Sequence, residues 1–149
     1  MVRSIDDDDD AMIDHIGMLL WRAAADWRSR MQEEMVDRGF PWHGEARGEV
    51  LAHIGPSGTS QSVLAERMGM TKQAVQQLVD QLVAERVVKR VPDPEDGRAK
   101  RIEFTALGRR DLLERSKVKR AIERRYRKTL GDNRFAQLEK ALRMLTEEG

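Results

Sequence analysis

Cysteine is absent from the 149 residues. Disulfides, thiol nucleophiles, thiolate metal sites and thiol-based redox sensing are therefore excluded by residue type alone. Aromatic residues number only seven, which favours amphipathic helices over a sandwich or barrel. No apolar run approaches the roughly 18 residues that a membrane span needs. The N-terminus also lacks the basic-then-apolar layout of a signal peptide, so the chain is expected in the cytoplasm with no membrane partner. The three histidines, His15, His43 and His53, stand at spacings that match no metal-ligand motif, and no phosphate-cradling loop accompanies the many carboxylates. No enzyme activity, metal or cofactor is expected.

What the chain does hold is charge, unevenly placed. With 40% apolar and 36% charged residues and a formal net charge of +1, its length fits one domain. The near-neutral total hides an asymmetry: residues 1–60 carry 6 cations and 12 anions, whereas residues 86–128 carry 16 cations and 7 anions. A polyanionic partner fits the second segment. Residues 1–10 end in five consecutive aspartates with nothing to bury, and a disordered acidic tail is the expectation.

From Ala11 to about Val36, apolar residues at Ile16, Leu20, Ala23, Trp27, Met31 and Met35 recur every three or four positions, the signature of one long amphipathic helix. The stretch 39-GFPWHG-44 breaks it, and a shorter helix with Val50, Leu51 and Ile54 inward follows. Thr59 or Ser60 then caps a helix facing inward through Val63, Leu64 and Met68. Gly69 provides a tight turn, and Thr71 caps a second helix facing inward through Val75, Leu78, Val79 and Leu82. Two helices joined through a short glycine turn predict a helix-turn-helix, with Ala65 small enough to let them approach. Strands of period two are predicted at 87–91 and 102–105, flanking the long charged loop 92-PDPEDGRAKR-101; such a loop behind a helix-turn-helix is a wing. Thr105 opens a helix with Leu107, Leu113, Val118, Ile122 and Tyr126 inward, ending near Gly131. A last helix sets Phe135, Leu138, Leu142 and Leu145 on one seam, too short to stand alone.

The run 82-LVAERVVKRVPDPEDGRAKRIEFTALGRRDL-112, with its Asp96-x-Arg98-x-Lys100 core and its Thr105-x-x-Gly108 helix start, resembles the multiple-antibiotic-resistance regulator (MarR) family of bacterial winged-helix transcription factors. The likeness runs from about Ala46 to Asp111, and the flanking helices match in length and order. It implies a mainly α fold with a small β-hairpin wing, a winged helix-turn-helix flanked by N- and C-terminal dimerisation helices. By that division 11–44 is the N-terminal dimerisation segment, 45–105 the DNA-binding lobe and 106–149 the C-terminal dimerisation helices. Two positions depart from the family pattern: Arg86 stands where glycine is usual, and Gln77 where arginine is frequent.

The chemistry agrees with the resemblance. A helix entering the major groove reads base edges with short or amide side chains near its N-terminus. The helix 71-TKQAVQQLVDQ-81 offers Gln73, Gln76 and Gln77 as readers, with Thr71 and Lys72 on phosphate. Arg98 at the wing tip suits a narrow minor groove, with Asp96 holding the loop and aiming the guanidinium, while Lys100 and Arg101 steady the loop or touch the DNA backbone. Double-stranded DNA and a second copy of the chain are the expected partners: one winged helix makes few base contacts, and two copies match a pseudo-palindromic operator. Repression is the expected outcome. The resemblance also implies a small aromatic or anionic effector between the dimer helices and the lobe, lined by Trp21, Trp27, Trp42, His43 and Arg47. The alternative is a winged helix used for protein–protein contact without sequence-specific DNA binding.

Overall fold

The computed structural model describes residues 15–147. The expected acidic tail and the expected helix start at Ala11 lie outside the described residues. Helix α1 (Ile16–Asp37) begins at His15, whose ring Nδ1 accepts the Met18 amide at 3.3 Å. A 3-10 turn (Pro41–Gly44) leads to α2 (Ala46–Ala52). A short strand β1 (Thr59–Ser60) then runs directly into α3 (Gln61–Met68), and α4 (Lys72–Ala84) follows. Strands β2 (Val88–Pro92) and β3 (Lys100–Phe104) precede α5 (Ala106–Leu130) and α6 (Asp132–Glu147).

The predicted caps form where hydroxyls were placed. Ser60 accepts from Val63, Thr71 from Ala74 and Thr105 from Gly108, each satisfying an amide that the first helical turn leaves orphaned. Gly69 ends α3 in the left-handed region at φ +61°, which lets α4 leave at a sharp angle. Gly108 is demanded by packing instead: a Cβ there would stand 2.2 Å from the Val87 carbonyl oxygen. The Thr105-x-x-Gly108 pattern is therefore the joint that seats α5 against the chain leaving α4, with Thr105 Oγ1 also donating to the Arg86 and Val87 carbonyls.

The β-hairpin wing is present, and β1 extends it to a three-stranded antiparallel sheet in the order β1-β3-β2; two other expectations need correction. β1 pairs through Thr59↔Ile102 and Ser60↔Arg101, and two residues are too few to show a period. The strands at 87–91 and 102–105 shift to 88–92 and 100–104. Val87 drops out of the ladder through its amide, which donates to the Leu82 carbonyl, although its own carbonyl still accepts from Thr105, its partner in the same register. Leu113, expected inward, is 64% exposed, on the side of α5 away from Val118 and Ile122.

One core runs through the lobe and into the long helices: Met35, Leu51, Leu64, Val75, Val79, Leu82, Val87, Ile102 and Val118 are all buried within it. On α1 only Met31 and Met35 are buried, while Ile16, Leu20 and Trp27 stay exposed; on α6 only Phe135 is buried, and Leu138, Leu142 and Leu145 are exposed. The apolar seams at the two chain ends thus have periodicity without a covering layer in the single chain.

Arg86 is the non-glycine residue with positive φ among those described, at +63°. It turns the chain from α4 into β2, where the left-handed region costs a side-chain-bearing residue about 1–2 kcal/mol. Gly relieves that strain but adds freedom to the unfolded chain. Arg86→Gly is therefore expected to raise stability by about 0.5–1 kcal/mol net, read as an increase in the urea midpoint at unchanged slope; a lower midpoint would contradict it.

Candidate nucleic-acid interface

Helix α4 buries Val75, Val79 and Leu82 and presents the opposite side to solvent, where Thr71, Lys72, Gln73, Gln76 and Gln77 are all exposed. Positions 73, 76, 77 and 80 form one row by helical spacing. The amide side chains predicted to read bases thus share a face because the inward periodicity leaves them no other.

That face is held from behind by a residue that sequence reasoning passed over. Arg90, on β2, places Nη1 2.6 Å from Asp80 Oδ1. Its Nη2 donates to the Gln76 carbonyl at 3.2 Å and its Nε to Gln61 Oε1 at 3.1 Å. One guanidinium therefore fixes the angle of α4 to both the sheet and the start of α3. Arg90 shares its strand face with buried Val88, so the period of two carried the signal that it points toward the helices.

The wing tip is built from backbone turns. Asp96 Oδ1 accepts the Arg98 amide at 3.1 Å, Asp93 Oδ1 accepts the Glu95 amide at 3.0 Å, and the Asp93 amide closes onto the Ala99 carbonyl at 3.0 Å. Asp96 meets Arg98 through the backbone, holding the loop, and among the described residues its carboxylate makes no hydrogen bond or ion pair with the Arg98 guanidinium. A carboxylate two residues earlier caps the intervening turn, because the nearest donor is the amide and not the end of a long side chain. Arg98 is left exposed, its guanidinium without a partner among the described residues. It borders one cleft with Lys72, Lys100, Asp96, Gln61 and Ser62, so the wing tip and the start of α4 open onto the same space. Arg101 is committed elsewhere: its Nη2 donates to the Ser57 and Gly58 carbonyls at 2.7 and 3.0 Å, clasping the approach to β1.

The five residues expected around an effector do not converge. Trp27 and His43 line a cleft of about 260 Å³ between α1, α2 and α5, with His53, Arg115 and Lys119 among its walls. Trp21 is 75% exposed and borders a separate groove on α1. Trp42 is core: it packs edge-on to Phe40 and donates from Nε1 to Asp111 Oδ2 at 2.8 Å. Arg47 is buried between Glu45 and Glu85, and the hydrogen bond to Glu85 pushes its guanidinium above the ordinary arginine value. Tryptophan and arginine mark a cleft or a core equally well by sequence, and burial alone separates them here.

Beneath that cleft lies a charged cluster that the sequence reading also missed. Asp111 is wholly buried and meets Trp42 Nε1, His43 Nε2 at 2.6 Å and Arg115 Nε at 2.8 Å. The Arg115 contact is a close ion pair without hydrogen-bond alignment, and Arg115 Nη2 has no hydrogen-bond partner. Asp111 and Arg115 follow Leu107 at four-residue steps on the face that also buries Val118 and Ile122. An acid and a base at core positions of a helix are the signal that could have found them.

The MarR family model matches residues 46–99. Among curated proteins, none matches the chain's sequence. Among solved structures, the chain is similar to wild-type MarR in its apo form from E. coli, with a TM-score of 0.73 at 20% identity over 89% of this chain and 97% of that one. It is similar to a MarR-family transcriptional regulator from Rhodococcus sp. RHA1, with a TM-score of 0.65 at 25% identity over 97% of both chains. CouR from Rhodococcus jostii RHA1, bound to p-coumaroyl-CoA, aligns with a TM-score of 0.67 at 28% identity over 89% of this chain and 92% of that one.

Proposed function

The chain belongs to the MarR family of transcriptional regulators, and on that premise we propose that it is a homodimeric repressor that binds a pseudo-palindromic duplex sequence-specifically. The observation that carries the reading is the shared cleft: Lys72 at the start of α4 and Arg98 and Lys100 on the wing converge there, beside an exposed glutamine row. In this reading 45–105 is the lobe that meets DNA, with Gln73, Gln76 and Gln77 at base edges in the major groove, Thr71 and Lys72 on phosphate, and Arg98 in the adjacent minor groove. Asp96 acts by fixing the turn that carries Arg98, and Arg101 by fixing the sheet. The uncovered apolar residues of α1 and α6, within 11–44 and 106–149, supply the two-fold interface.

Duplex affinity measured against salt tests the reading. Neutralising phosphates releases counterions, so log affinity should fall linearly with log salt at a slope of about −0.9 per phosphate contacted. A flat response would favour the alternative, a winged helix used for protein contact. Gln77→Ala is expected to change base preference at one position per half-site, by about 1–3 kcal/mol of discrimination, while barely altering non-specific affinity. Selection from random duplexes with both proteins checks this, and equal losses on all sequences would contradict it.

The effector, in the same reading, is a small aromatic anion. It occupies the cleft at Trp27 and His43, where Trp27 offers an aromatic wall and Arg115 an unsatisfied Nη2 at the floor. CouR's p-coumaroyl-CoA complex supports an aromatic, anionic ligand class.

A further inference from the structure

Helix α5 carries far more cations than its packing uses. On the side opposite Val118 and Ile122, helical spacing aligns Arg110, Lys117, Arg120, Arg124 and Lys128, interrupted only by exposed Leu113. All five are exposed, no acid lies within the row, and Arg110, Arg124 and Lys128 have no partner among the described residues. Over 18 residues the row is about 27 Å long at 1.5 Å per residue. Like charges so arranged repel one another, and the recognition face on α4 and the wing has its own cations.

The chain also contains the complementary group. Residues 6–10 are five consecutive aspartates, separated from His15 by 11-AMID-14. α1 runs antiparallel to α5: Arg38 meets Glu114 at 2.8 Å, while further back along α1 Arg125 and Tyr126 lie close enough to Asp26 to act on its carboxyl. His15 therefore lies about 16 Å beyond Asp26 along α1, roughly 12 Å past the level of Lys128. Extended chain from His15 reaches about 17 Å at position 10 and about 31 Å at position 6. That is long enough to cross the end of α5 to Lys128 and Arg124, with Arg120 at the limit and Lys117 beyond it.

We infer that the C-terminal half of this row, Arg120, Arg124 and Lys128, is the docking surface for the chain's own aspartates 6–10. The segment neutralises a cationic face that is not part of the recognition surface and withholds it from non-specific polyanions. Each exposed ion pair contributes little, so the contact is a salt-sensitive network of several pairs rather than a fixed bond.

Zero-length carbodiimide coupling of the full chain, followed by peptide mapping, tests the inference without any DNA. A link between Lys128 and an aspartate at 6–10 within one chain is expected at 0.1 M salt. Its yield should fall severalfold at 1 M, where the screening length drops from roughly 10 Å to about 3 Å. The yield should also fall at least fivefold in the Arg120→Glu, Arg124→Glu double variant, whose helix content circular dichroism would verify. Links that join two chains, that go to Lys72 or Lys100 instead, or that persist unchanged in the double variant would overturn it. Because the readout involves no operator, its failure would leave the DNA-binding reading untouched.

Discussion

Asp111→Ala should cost about 3–5 kcal/mol of stability, the range for removing one partner of a buried ion pair. The carboxylate has no exposure and faces Trp42 Nε1, His43 Nε2 and Arg115 Nε. Truncation leaves the buried Arg115 guanidinium without its counter-charge, and it orphans the Trp42 indole N–H. Both losses fall where α5 joins the 3-10 turn that introduces the lobe. Asp111→Asn retains an acceptor for Trp42 but not the charge, so its cost should be smaller, about 1–3 kcal/mol. Urea unfolding of the three proteins at one fixed protein concentration decides the matter, since association contributes to apparent stability. A loss below about 1 kcal/mol for the alanine variant would mean that Arg115 finds water or another acceptor, contrary to its burial.

Arg98→Ala should weaken binding to the preferred duplex more than tenfold, above about 1.4 kcal/mol, while leaving thermal stability and the association state unchanged. The guanidinium has no hydrogen bond or ion pair among the described residues, so its removal breaks no polar contact of the folded chain. Arg101→Ala is the control with the opposite pattern: it removes the clasp on the Ser57 and Gly58 carbonyls and should lower stability. Asp96→Ala should act through the backbone, because its carboxylate holds the amide of Arg98 and not the guanidinium. Duplex titration at fixed salt, with unfolding curves alongside, separates the three. Unchanged affinity for Arg98→Ala would remove the wing from the mechanism.

The parts of this fold that could be read from residues alone are those fixed by neighbours a few positions away. Ser60, Thr71 and Thr105 cap helices because a hydroxyl reaches an amide three residues on, and Gly69 turns the chain because it lacks a Cβ. The glutamine row follows by subtraction from the buried stripe of Val75, Val79 and Leu82. The candidate interface was legible to the same extent, since α4 and the wing each announce themselves locally. β1 was not, because two residues have no period, and neither was the split among Trp21, Trp27 and Trp42, whose residue type is common to core, cleft and exposed face.

Sequence by itself determined the helix-turn-helix, the wing, the concentration of cations in 86–128 and the absence of thiol chemistry, because composition, periodicity and capping act over one to seven residues. Tertiary structure alone decided that Arg90 braces α4 against the start of α3 and that Asp111 gathers Trp42 and His43 beside Arg115. In the contact of Arg90 with Gln61, and in those of Asp111 with Trp42 and His43, residues distant in sequence meet in space. Strand and helix periods show that Arg90 and Asp111 face inward, but which partners they meet there depends on packing angles that those periods do not encode.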